Sequence, residues 1–120
     1  MYCSSTLALA ALEYLVHVDP DDAPADLLAL ELVIPGNAAV ATQSLDTLPA
    51  TWRDVSVSAA CHAIGDAWVA RGKSIGLLVP SVIIPVELNL LLNPAHDAMA
   101  NVRVVSTAPF AFDPRLLYRA

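Results

Sequence analysis

Three prolines, Pro80, Pro85 and Pro94, divide the most apolar stretch of the chain into strand-length pieces. Each ring fixes φ and removes a backbone donor, so strand pairing has to stop there. Ile75 to Val79 and Val86 to Leu92 are therefore expected strands. The same stretch cannot be a bilayer-spanning helix, because Pro80, Pro85, Glu87 and Asn89 interrupt it. Ser81 leaves the first strand between two prolines, at the mouth of the sheet. A small hydroxyl held there can face a cleft, where loops on a rigid scaffold commonly carry chemistry. Its plainer reading is a turn-capping serine.

The remaining elements follow from periodicity and punctuation. Ser4 or Ser5 is a suitable N-cap for a first helix that ends at Asp19-Pro20, and Ala8, Ala11, Leu12 and Leu15 form its expected buried stripe. The acidic run Asp19 to Asp26 reads as a solvated loop. Leu28 to Ile34, apolar almost throughout and ended by Pro35-Gly36, reads as a strand covered on both faces. Residues 37 to 57 are expected to be mostly loop with one short strand. Ser58 is the expected cap of a second helix running to about Arg71, with Ala60, Ile64, Ala67 and Trp68 inward and Gly72 as its stop. Trp68 is read as a core anchor, since a buried indole removes a large area from water. A turn at His96 to Ala100 and a strand from Val102 to Ser106 complete an α+β order of elements.

A chain of 120 residues, 57% of them hydrophobic, is expected to form one domain with a real core. Its net charge of −6 and six scattered basic residues argue against a nucleic-acid footprint, which needs a clustered basic face. Two cysteines, Cys3 and Cys61, make neither a disulfide framework nor a metal-ligand spacing, and a reducing cytoplasm is the simplest compartment. Cys61 is read as core. Glu13 interrupts the N-terminal apolar stretch, which also lacks the basic region of a secretory signal. The protein is expected to be soluble, with no membrane association.

Glu13 is the most demanding residue of the N-terminal region. It is the only Asp, Glu, Lys or Arg between Met1 and Val18, on a helix apolar nearly all round. Burying an unpaired carboxylate costs several kcal/mol, so such a group is paired, exposed on a narrow polar stripe, or used in chemistry. Pairing with His17, one turn on, is the structural alternative. Other chemistries are poorly represented. Ser81, His96 and Asp97 could be drawn as a hydrolytic triad, but there is no Gly-x-Ser-x-Gly elbow. Three histidines without neighbouring ligands at suitable spacing argue against a metal site, and four glycines form no nucleotide-binding motif.

The order of these motifs resembles that of the RES domain, the toxin of bacterial toxin–antitoxin pairs. Val79-Pro80-Ser81, Pro85-Val86-Glu87-Leu88-Asn89 and Asn93-Pro94-Ala95-His96 match its C-terminal half. Tyr2-Cys3-Ser4-Ser5 and the apolar stretch around Glu13 resemble its tyrosine strand and glutamate helix. Gly65-Asp66-Ala67-Trp68, Gly72-Lys73-Ser74 and Phe112-Asp113-Pro114-Arg115 fall in the family's order, so the likeness covers nearly the whole chain. The family is named for an Arg, a Glu and a Ser. Its arginine lies in a Gly-Gly-Arg-Trp-like stretch ahead of the tyrosine strand, on which this chain begins, so the expectation is a shortened toxin whose retained motifs are intact.

The resemblance implies an ADP-ribosyltransferase-like fold, a mixed sheet with flanking helices, and cleavage of NAD⁺ between nicotinamide and ribose. NAD⁺ would be a substrate, with no separate cofactor, and water, phosphate or a protein side chain the acceptor. Glu13 and Ser81 would be the catalytic pair, Ser81 holding the nicotinamide or ribose edge, and Tyr2 would stack on the nicotinamide or hydrogen-bond the substrate. Lys73 and Arg115 are candidate pyrophosphate partners whose default reading is surface charge. Asn93 and His96 are read first as turn builders, with His96 the better candidate for substrate binding. The implied partners are a cognate Xre-family antitoxin and a second toxin copy in a homodimer. The alternative function is a catalytically inactive, truncated module that only binds antitoxin.

Overall fold

Where proline ends strand pairing, a hairpin has formed. In the computed structural model, which describes residues 1–54 and 59–118, β4 (Gly76–Pro80) and β5 (Leu88–Leu92) pair antiparallel, with Leu77 opposite Leu91 and Val79 opposite Asn89. The expected strands thus both form, each trimmed at its first residues. At Gly76 an added Cβ would lie 2.8 Å from Leu90 Cδ1, so the two strands approach closely where a side chain is missing.

Two further strands complete this sheet. β1 (Tyr2–Ser4) pairs antiparallel with β5, and β3 (Val40–Thr42) pairs parallel with β4, giving a mixed sheet of order β1-β5-β4-β3. The short strand expected within residues 37–57 is β3. Because directly opposed residues share a face of a sheet, Tyr2, Ser4, Asn89, Leu91, Leu77 and Val79 all project to one side.

The first helix, α1 (Leu7–Leu15), begins later than Ser4 or Ser5 would allow. Strand pairing holds Ser4 opposite Asn89, and Thr6 becomes the N-cap, its hydroxyl accepting from the Leu9 amide at 3.1 Å. The helix also ends before Asp19-Pro20. Bonds from His17 to Tyr14 and from Val18 to Leu15 tighten its last turn, taking the chain out of α geometry early. Its inward face is rotated from the expected stripe: Leu9 is buried, Ala11, Leu12 and Leu15 are half-buried, and Ala8 is exposed. The rotation brings Leu9 and Glu13, an i, i+4 pair, toward the sheet.

The second helix, α2 (Ala59–Arg71), ends at Gly72, whose φ of 61° is the left-handed conformation of a helix stop. The expected Ser58 cap lies outside the described residues. Trp68 is buried as expected, and its indole N–H donates to Ser74 at 2.7 Å. Ala60 and Ala67 are exposed instead of inward. The covered side is built from Cys61, Ile64, Gly65 and Trp68, and a cavity of about 170 Å³ remains between α2 and Leu77, Val79 and Leu91.

The largest departure is β2 (Leu27–Val33). Among the described residues it pairs only with β6 (Arg103–Phe110), forming a two-stranded ribbon separate from the main sheet. The strand is not covered on both faces: Leu28 is 63% exposed and Leu30 57%. Among the described residues this two-stranded ribbon has no second layer over its Leu28 face, and apolar sequence alone cannot reveal that. The radius of gyration of 15.7 Å, against roughly 14 Å for a compact chain of this length, reflects this extended part. Aromatic contacts tie the ribbon's end back to the first helix. Phe112 stacks on Tyr14 at 5.9 Å and meets Phe110 edge-on at 5.3 Å. The last helix, α3 (Pro114–Leu117), is capped by Asp113, which accepts from the Arg115 amide.

Candidate functional site

Glu13 is brought by α1 over the exposed end of β5, and its partner is not His17. Ser81 donates its hydroxyl to Glu13 Oε1 at 2.7 Å, and Asn89 donates an amide proton to the same oxygen at 2.6 Å. Both donors are wholly buried. One carboxylate oxygen is thereby held by two residues of the central hairpin, which fixes the side chain with no cationic partner among the described residues.

Ser81 takes the turn-capping role open to it in the sequence and is not part of the cavity lining. Its oxygen accepts from the Ile83 and Ile84 amides at 3.1 and 3.0 Å, capping the turn that follows β4. Its proton goes to Glu13. Ser81 is therefore within the same cluster as Glu13 but beneath it, reaching the solvent-facing cavity only through the carboxylate.

That cavity, about 610 Å³, is lined by Tyr2, Ser4, Ala10, Glu13, Tyr14, His17 and Val18. Tyr2 stands on the edge strand, and its hydroxyl oxygen accepts from Asn89 Nδ2 at 2.7 Å. The Tyr2 phenol is pushed up to about 12, mainly by burial and then by the Glu13 charge, with the Asn89 bond acting in the opposite direction. Beside it on the strand, burial raises the Cys3 thiol above its ordinary range, offset in part by the nearby N-terminal ammonium.

Asn89, absent from the residues assigned a role by sequence, is the centre of the arrangement. Its Oδ1 accepts from the Ser4 hydroxyl at 2.6 Å while its nitrogen serves Glu13 and Tyr2. A buried amide without partners costs a few kcal/mol, so an asparagine in the otherwise all-leucine run Leu88 to Leu92 was itself a signal. Among the described residues, no buried side-chain nitrogen or oxygen lacks a partner.

Tyr2, Glu13 and Ser81 are brought together; Lys73, His96 and Arg115 do not line the cavity. Lys73 is exposed on the connection after Gly72. His96 caps the turn Asp97–Asn101, its Nδ1 accepting from the Ala98 amide at 3.0 Å. Arg115 is exposed and paired with Asp113 at 2.8 Å, which raises the guanidinium further and lowers the Asp113 carboxyl. Asn93 is buried and accepts from the Ala95 amide at 3.1 Å, building the turn around Pro94. Among the described residues, no cluster of three His, Cys, Asp or Glu side chains could hold a metal ion, and no helix is long and apolar enough to cross a membrane.

A tyrosine strand, a glutamate helix and a Pro-Ser turn converging on one carboxylate agree with the comparisons to known proteins. The RES domain family model matches residues 1–113. A protein named Toxin Res from Photorhabdus laumondii is 38% identical over 98% of this chain and 75% of its own length. A second Toxin Res, from Yersinia enterocolitica, is 37% identical over 97% of this chain and 76% of its own. A protein named Prs ADP-ribosylating toxin, from Sphingobium, is 33% identical over the whole of this chain and 76% of its own length. The α+β, ADP-ribosyltransferase-like class holds with this assignment, and the mixed sheet, the hairpin-anchored glutamate and these matches make the chain a member of the RES domain family.

Proposed function

We propose that the protein is a toxin that cleaves NAD⁺ at the bond between nicotinamide and ribose. The observation that carries this reading is the carboxylate of Glu13, pinned at Oε1 by Ser81 and Asn89 and opening onto the cavity beside Tyr2. As the glycosidic bond breaks, positive charge develops on the ribose. A carboxylate already fixed in place stabilises that charge more than it stabilises the ground state, and it needs no reorganisation at the moment of reaction. The departing nicotinamide carries its own positive charge in the substrate and leaves neutral, so no strong acid is required. Tyr2 is suited to contact the nicotinamide or to donate to the substrate, and Ser81 acts by orienting Glu13.

The acceptor is water, phosphate or a protein side chain. The name of the Sphingobium relative supports transfer to protein as one outcome. In the same reading the toxin works in the cytoplasm, forms homodimers, and is silenced by a cognate Xre-family antitoxin. The exposed apolar side chains of the β2–β6 ribbon are available to such partners.

A second reading has its own support: among the described residues, no lysine or arginine lines the cavity to meet a pyrophosphate. On that reading the chain binds antitoxin without turnover. Incubating the protein with NAD⁺, with and without phosphate, and measuring free nicotinamide separates the two. Release that falls at least about 100-fold in Glu13→Gln is the expected result. No release from the unsubstituted protein, together with antitoxin binding, overturns catalysis in favour of the binding module.

A further inference from the structure

The hydrogen bonds around Glu13 leave no freedom in the direction of their protons. The Ile83 and Ile84 amides can only donate, so Ser81 Oγ accepts from them and must send its single proton to Glu13. An ionised carboxylate can only accept, so the Asn89 group facing it is the NH₂, and Oδ1 turns to Ser4. The second proton of that NH₂ points at the Tyr2 oxygen. Tyr2 therefore enters this network as an acceptor, and its own proton is left for another partner.

We propose that Asn89 is a positioning residue that sets the hydrogen-bond polarity of the cavity, turning the Tyr2 hydroxyl into a donor toward bound ligand and leaving Glu13 Oε2 as the acceptor beside it. Tyr2 and Glu13 both line the cavity, so the donor and the acceptor face the same space. The ligand group read by Tyr2 is then a hydrogen-bond acceptor, such as a carbonyl or an ether oxygen. Asn89 touches no ligand itself, being wholly buried beneath the two residues it orients. Its effect on turnover rests on the NAD⁺ reading; its effect on the Tyr2 proton does not.

Carbon-13 at the tyrosine ζ position reports the distinction, because a phenol that accepts a hydrogen bond moves upfield and one that donates to protein moves downfield. In the unsubstituted protein, the Tyr2 signal, assigned by its loss in Tyr2→Phe, should lie upfield of that of the exposed Tyr118. A Tyr2 signal downfield of Tyr118 overturns the proposal, and this measurement requires no Asn89 variant to fold. Asn89→Asp keeps the shape but puts an oxygen where the amide nitrogen was; that oxygen shares a proton with Glu13 Oε1, since two carboxyl groups 2.6 Å apart do not both ionise, and toward Tyr2 it can only accept, which draws the Tyr2 proton inward. Its ζ signal should move downfield, and NAD⁺ turnover should fall about 100-fold. In the Tyr2→Phe background the same substitution should cost several-fold less, because the part that acts through the Tyr2 proton is gone and only the part that acts through the bond to Glu13 remains. Equal losses in both backgrounds, or an unmoved signal, overturn the proposal. If the unsubstituted protein releases no nicotinamide, the NAD⁺ reading fails while the ζ signal still decides the role of Asn89.

Discussion

Replacing Ser81 by alanine removes one oxygen that takes part in three hydrogen bonds, and the loss can be worked through from the geometry. The bond to the Glu13 carboxylate is charge-assisted and contributes about 1.5–3 kcal/mol, while the two turn amides contribute roughly 0.5–1.5 kcal/mol each. Ser81 is wholly buried, so water cannot enter freely in its place. The turn amides of Ile83 and Ile84 are nearer the surface and regain some hydration, which lowers the net loss to about 3 kcal/mol. For 120 residues the unfolding entropy is about 0.25 kcal/mol/K, so the melting temperature should fall by roughly 12 °C. Differential scanning calorimetry of Ser81→Ala tests this. Glu13→Gln keeps an oxygen able to accept from Ser81 and Asn89 and should melt far closer to the parent. A Ser81→Ala protein melting within about 2 °C of the parent would refute the claim that this hydroxyl joins turn and helix.

Two other outcomes follow from the same kind of reasoning. Trp68→Phe leaves the buried Ser74 hydroxyl without its indole partner and should lose about 2 kcal/mol in urea titration, whereas an unchanged midpoint would show that Ser74 finds another partner. The Tyr2 phenol is raised in the folded state from 10.0 to about 12, so the stability it contributes is complete below pH 10 and is lost as pH rises through 12. Stability measured across that alkaline window should decline less steeply in Tyr2→Phe than in the parent, and parallel curves would exclude the linkage.

How much of this was legible depended on whether a residue's constraint was local. Proline chemistry set the ends of β4 and β5 within a residue or two, and Gly72 marked the end of α2 because its backbone conformation is disfavoured for other residues. Glu13 was legible as a problem, since a lone carboxylate in an apolar helix demands a partner. The identity of that partner was not, because Ser81 and Asn89 lie 68 and 76 positions away in sequence. The start of α1 was misplaced for a related reason: Ser4 is a good cap in isolation, but strand pairing across 85 positions commits it to Asn89. For β2, an apolar run has the composition of a doubly covered strand but forms one side of a ribbon.

Residue types and spacing alone determined the central hairpin, the two main helices, the family resemblance and the need to satisfy Glu13, because sterics, amide loss and the penalty on unpaired charge act within a few residues. Only tertiary structure decided that Ser81 lies beneath the carboxylate, that Asn89 joins Glu13 to Tyr2, and that Lys73, His96 and Arg115 lie apart from the cavity lining. A hydrogen bond between distant segments depends on how strands are ordered and how a helix is rotated over them. Those are set by the packing of the whole chain, and no short stretch of it contains that information.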